Sequence, residues 1–286
     1  MAALSPGNLR ALGVAALVLL SGMGTASATF GLRFGLPHPA CVLAALSAAW
    51  LARSIDLPGL RGFLLPLGAL TAAALVPAAA ALRLFTGSAL WPFAAALLVS
   101  LAWASGRRPP RQALLPFFFL AYALVGWQAR VRVGPDGDEP QYLMVAESLR
   151  RDHDFALDQD FAEERYREFY SRKLEPHFRI RGPEGQIYSL HAVGLSLLIL
   201  PAWTLGGYPG VSLFMAFLGA LLVREIRRLL QAVTGESATA EGLAWMLGLC
   251  PPLIHFAGLV FTEIPAALLV AAGLRSAAFA RRGRGP

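Results

Sequence analysis

Asp138 and Glu139 stand side by side in the run Asp136-Gly137-Asp138-Glu139-Pro140-Gln141-Tyr142, directly after a long apolar stretch. A carboxylate at the outer end of a membrane span can take the proton of a hydroxyl as its oxygen attacks, provided the cleft is partly dehydrated. The same residues also fit a helix start. Asp138 would be the N-cap, Glu139 and Pro140 the first turn, and Gln141 the third residue of a capping box. Spacing alone leaves base and cap both open. Asp136-x-Asp138 could in addition hold a divalent cation through its oxygens. The sequence carries no nucleotide-binding motif, and beyond that divalent cation it points to no particular cofactor.

The pair belongs to a polar segment, residues 130–191, which holds 13 of the 18 acids against 10 Arg and Lys, so the segment is net negative although the chain is net +7, and all of the positive excess lies outside it. Lys173, His177, Arg179 and Arg181 are the basic side chains toward the end of the segment, suited on their own to a solvated turn that balances local acids. His191 closes the segment. Farther on, Glu263 sits between apolar runs, where an ionised side chain costs about 2.5–3.5 kcal/mol if it lies deep in a bilayer. Cys41 and Cys250 fall within hydrophobic runs and suggest neither a disulfide framework nor a metal cluster.

A chain of 286 residues that is 56% hydrophobic and 15% charged has too little polar surface for a soluble domain. The bilayer must be its main solvent. Five runs before the polar segment approach the roughly 20 residues needed to cross a membrane: Ala11–Leu32, Phe34–Ala52, Gly62–Leu82, Leu84–Gly106 and Gln112–Ala129. The first is preceded by Arg10 and contains Ala26-Ser27-Ala28, but it is longer than a usual signal core and reads as a retained span. Arg107, Arg108 and Arg111, with no acid nearby, mark a cytoplasmic turn, so Gln112–Ala129 delivers residues 130–191 to the outer face. The excess arginine is topological and does not indicate nucleic-acid binding.

Within the loop, Tyr142, Val145, Ala146 and Leu149 share one helical face, with Glu147, Ser148 and Arg151 away from it. This predicts an amphipathic helix lying on the membrane surface. A second charged helix is expected over Phe161–Tyr170 with the i, i+4 pair Glu163/Arg167, then a turn at Arg181–Gln186. After His191, two full crossings in Ala192–Val223 would put every later arginine cluster outside. One net crossing repairs this: residues 194–205 in the outer interface or re-entrant, a break at Gly206-Gly207-Tyr208-Pro209-Gly210, then a crossing inward. Gly242–Phe256 would return outward and Glu263–Ala280 inward. The expected fold is therefore all-α, a polytopic transmembrane bundle with one large outer, periplasmic loop carrying amphipathic surface helices.

Asp138-Glu139-Pro140-x-Tyr142 after a span, Ala146-Glu147-Ser148-Leu149, Tyr188-Ser189-x-His191-x-x-Gly194 and Phe261-Thr262-Glu263-x-Pro265 together resemble a family. They look like the GT-C type lipid-carrier-dependent glycosyltransferases, relatives of protein O-mannosyltransferases and aminoarabinose transferases, grouped in bacteria as family 39. The resemblance covers about Gln112 to the C-terminus. It implies that Asp138 is the catalytic base and Glu139 its companion, and that His191 and Glu263 border the same cavity; Asp136, Tyr142 and, for the lipid phosphate of such a donor, Lys173, His177, Arg179 and Arg181 are the further candidates for binding substrate. It implies a polyprenyl phosphate sugar as donor, a glycan, lipid or protein hydroxyl as acceptor, membrane lipid as surroundings, and the bacterial inner membrane as location. His191-Ala192-Val193-Gly194 stands where the family has His-Pro-Pro-Gly. Residues 1–111 read as an added membrane module of about four spans. Residues 112–286 hold fewer core spans than the family has, which implies a truncated relative or a partner that completes the donor site.

Overall fold

A computed structural model describes residues 111–180, 185–250 and 252–281, with one short hairpin and isolated helical positions among the first 46 residues. The described protein is mostly helical, with little strand. It divides into two compact units, Met1–Pro110 with Glu241–Cys250, and Arg111–Ala240 with Pro251–Pro286. In the first unit, β1 (Gly24–Ser27) pairs antiparallel with β2 (Gly31–Phe34). This hairpin corrects the expectation of a helix running through Leu32. The expected spans Gly62–Leu82 and Leu84–Gly106 lie outside the described residues.

The second unit is built on α1 (Leu114–Arg132), α2 (Glu139–Arg151), α3 (Asp158–Ala162), β3 (Phe178–Ile180), β4 (Ile187–Ser189), α4 (Gly194–Thr234), α5 (Ser237–Leu249), α6 (Leu253–Phe256) and α7 (Glu263–Arg281); α5 passes into the first unit at Glu241. Among the described residues, three helical stretches are long and apolar enough to cross a membrane: Arg111–Arg132, Gly194–Thr234 and Glu263–Ala280. The expected span Gly242–Phe256 is not one helix, since α5 ends at Leu249 and α6 starts at Leu253. Pro251 and Pro252 lie between, and prolines lack the N–H that would continue the ladder.

The hub is α4, against which α1, α2 and α7 pack. It is broken at Gly207, whose φ of 55° and ψ of −150° suit glycine alone, within the Gly-Gly-Tyr-Pro-Gly run where the sequence places a break. A Cβ on Gly210 would lie 2.6 Å from the Ala202 carbonyl oxygen, so that position must also be bare. Farther along, α1 and the residues after α6 meet backbone to backbone. A Cβ on Gly258 would lie 2.5 Å from the Gly126 Cα, and Ser212 Oγ on α4 donates to the Gly258 carbonyl at 3.0 Å. Small residues and side-chain hydroxyls hold apolar helices together where hydrophobic driving force is weak.

The segment between α1 and α4 differs from expectation in three ways. The helix α2 is not a surface-lying amphipath: Glu139 to Ser148 are all buried, including the face expected to be wet, where Glu147 is 1% exposed. The helix expected over Phe161–Tyr170 is broken, because Glu164 takes a left-handed φ of 50° between α3 and a 3-10 turn at Arg165–Glu168. The Glu163/Arg167 pair does not form; Glu163 accepts from Arg165 at 2.8 Å, and Arg167 pairs with Glu164. Finally, the segment is not wholly helical, since β3 and β4 form an antiparallel hairpin with Phe178 opposite Ser189.

Candidate functional site

Asp138 occupies the N-cap position of α2, but its side chain makes no capping bond and its backbone is already helical at φ −86°, ψ −8°. The expected capping box is also absent. Gln141 instead donates from Nε2 to the Glu175 carbonyl at 2.8 Å and accepts from the His177 amide at 3.4 Å, pinning residues 175–177 beside the start of α2. The Asp138 carboxylate is left half-exposed, with Oδ1 3.8 Å from His177 Nδ1 and 3.8 Å from His191 Nε2.

The hairpin brings those histidines together. Its register sets Phe178 opposite Ser189, and one step beyond, the Leu190 amide donates to the His177 carbonyl at 2.8 Å. His191 follows, with its Nε2 3.2 Å from His177 Nδ1 and its ring 5.1 Å from that of Tyr142. Burial pushes the Tyr142 phenol up, and the negative charge of Asp138 and then of Glu263 adds to it, against a hydrogen bond with Thr262. Asp138, Tyr142, His191 and Glu263 thus share one electrostatic neighbourhood. Glu263 is exposed in the first turn of α7, where the helix dipole favours a carboxylate.

Glu139 is a different kind of residue from its neighbour. It is 2% exposed. Its Oε1 accepts from the Val260 amide at 2.7 Å and from the Tyr208 hydroxyl at 3.4 Å, and its Oε2 from the Asp136 amide at 3.0 Å. Burial pushes this carboxyl up, and the three donors work against that shift. Glu139 ties the loop after α1, the break of α4 and the entry to α7 into one corner. Phe261 closes that corner: a Cβ on Gly137, which sits at φ +58°, would lie 3.4 Å from its ring.

The cations expected to hold a phosphate are dispersed. Lys173 pairs with Glu175 at 2.7 Å in solvent, and Arg172 takes Asp136 at 2.8 Å. His177 belongs with Asp138. Arg179 lies in β3, its side chain not described, and Arg181 lies outside the described residues. Sequence reasoning missed a second cluster on the other side of α2. Glu147 accepts from Arg150 Nε at 2.8 Å, from Trp203 Nε1 at 2.7 Å and from Arg151. Burial alone would push Glu147 up; Arg150, Trp203 and Arg151 outweigh it and hold the carboxyl at about 2. The i, i+3 spacing of Glu147 and Arg150 was the available signal.

This cluster lines a cleft of about 460 Å³ at the break of α4, together with Arg130, Thr204, Gly207 and Tyr208. Among the described residues Arg130 has no ion pair, so it is the surplus cation there. A second cleft, of about 640 Å³, opens against Val145, Tyr188 and His191. Comparison with protein-family models, with curated proteins and with solved structures finds no match to this chain.

Proposed function

We propose that the chain is a membrane glycosyltransferase of the GT-C type, moving a sugar from a polyprenyl phosphate carrier to an acceptor hydroxyl at the outer face of a bacterial inner membrane. The observation that carries this reading is the state of Asp138. Its carboxylate is not used as a helix cap, stays within reach of solvent, and faces two imidazoles beside a cleft. A non-enzymatic protein, in which Asp138 merely starts a helix, gives no reason for that arrangement. Glu139, buried and donor-bound, acts as a positioning residue.

In this reading α1, the part of α4 after Gly207 and α7 are crossings of a polytopic bundle, and residues 130–191 lie on the periplasmic side. Residues 194–206 rise only about 20 Å, too little for a bilayer core of about 30 Å, which favours one net crossing for α4. The acceptor oxygen attacks the anomeric carbon, its proton passes to Asp138, and the bond from that carbon to the phosphate oxygen breaks. A single displacement of this kind inverts the anomeric centre.

Asp138→Asn tests the assignment. The carboxylate makes no cap, so folded protein and its stability stay near wild type, whereas loss of a positioned base lowers transfer of labelled sugar from lipid carrier by about 10²–10⁴-fold. Wild-type turnover in Asp138→Asn, on matched amounts of folded protein, refutes the catalytic role.

A further inference from the structure

We propose that Asp138, His177 and His191 form a binding site for a divalent transition-metal ion of the zinc class. The three ligand atoms, Asp138 Oδ1, His177 Nδ1 and His191 Nε2, converge with separations of 3.8, 3.8 and 3.2 Å. A point equidistant from three atoms so spaced lies about 2.1 Å from each, within the range for zinc bound to imidazole nitrogen and carboxylate oxygen. Asp138 and His177 are half-exposed, and within the protein a single contact links the cluster. One proton can bridge the two ring nitrogens, but the carboxylate oxygen is beyond hydrogen-bond distance of both. A cation at the centre would lie within bonding distance of all three atoms at once.

The surroundings hold the ligands in place. The hairpin register and the Leu190 to His177 backbone bond fix the two histidines side by side. Tyr142 packs against the His191 ring, the His191 amide donates to Ser189 Oγ at 3.1 Å, and Gln141 anchors the chain at His177. Such supporting contacts orient metal ligands and are worth roughly 10–100-fold in affinity. Two imidazoles and one carboxylate suit zinc and its neighbours, whereas calcium and magnesium take all-oxygen sets. Three protein ligands leave a fourth position open, as in catalytic and not in closed structural sites. The site stands on these side chains alone, independently of the transfer reaction. Should that reaction hold, a hydroxyl on the open position would be acidified, and Asp138 Oδ2 would remain to take its proton.

The test uses the full chain, purified in detergent through a tag without histidine, stripped with chelator and given zinc alone. The expected result is about one zinc per chain retained on desalting. His177→Ala and His191→Ala each weaken binding by more than roughly 100-fold, beyond the loss of a supporting contact, with helicity by circular dichroism unchanged. His153→Ala, a histidine outside the cluster, keeps wild-type binding. Equal zinc in wild type and the His177→Ala/His191→Ala double variant, no zinc on folded wild type, or equal loss in His153→Ala overturns the proposal. Bound zinc is read without sugar transfer, so failure of this site and failure of the glycosyltransferase reading are separate outcomes.

Discussion

Glu139→Ala should loosen three parts of the protein that are far apart in sequence. The lost carboxylate strands the Val260 amide, 2.7 Å from Oε1, the Asp136 amide, 3.0 Å from Oε2, and the more distant Tyr208 hydroxyl. A buried donor without an acceptor costs about 1–3 kcal/mol, which applies to the Val260 amide and the Tyr208 hydroxyl, while the Asp136 amide, on an exposed residue, adds less. Burial raises the Glu139 pKa, so the ionised group itself works against folding above its unfolded value, and removing it offsets part of the loss. The expected net cost is on the order of 3 kcal/mol. Glu139→Gln keeps one acceptor but turns an amide donor toward the other N–H, and should fall between, at about 1–3 kcal/mol. Denaturant unfolding in detergent gives the ordering, and hydrogen exchange gives its location. Protection should drop together in peptides spanning residues 134–139 and 256–262. Wild-type exchange in both, with wild-type stability, refutes the clamp.

Glu147→Gln tests the second cluster by pH. Its carboxyl is held at about 2 against an ordinary 4.5, so its contribution to stability is complete above the unfolded value and is lost as pH falls from about 4.5 toward 2. The stability gap between wild type and Glu147→Gln should be flat above pH 5 and close below it; a gap independent of pH would contradict the pairing. Gly258→Ala drives a methyl into the Gly126 backbone and should cost about 1–3 kcal/mol in unfolding free energy. Gly273→Ala, which meets nothing within 4 Å, should be neutral or stabilising by about 0.5–1 kcal/mol. Equal effects at the two glycines would count against the close crossing.

The long apolar helices were legible because composition and length alone fix them: α1 and α7 lie where Gln112–Ala129 and Glu263–Ala280 were read. The break of α4 was legible because glycine and proline act locally. The buried state of α2 was not, since Glu147 and Ser148 are polar by type and are covered only by neighbours from the rest of the chain, Trp203 among them. Hairpin register escaped for the same reason. Nothing within the sequence near His177 states that it will sit beside His191, 14 residues away. Asp138 and Glu139, adjacent and similar in type, have opposite environments because the helix start turns one carboxylate out and the other into the Val260 corner.

The broken main chain of α4 sets which way that helix must face. At Gly207 the ladder of backbone bonds is interrupted, and Pro209 has no N–H to offer the turn before it. Carbonyls released in this way cost several kcal/mol each against hydrocarbon and persist only where they meet protein or water. The cleft lined by Thr204, Gly207, Pro209 and Arg130 meets that need, while Leu205 is 89% exposed. The helix is therefore amphipathic through its peptide groups, although its side chains there are almost uniformly apolar. A detergent whose alkyl tails invade that cleft should destabilise this corner before the straight helices yield.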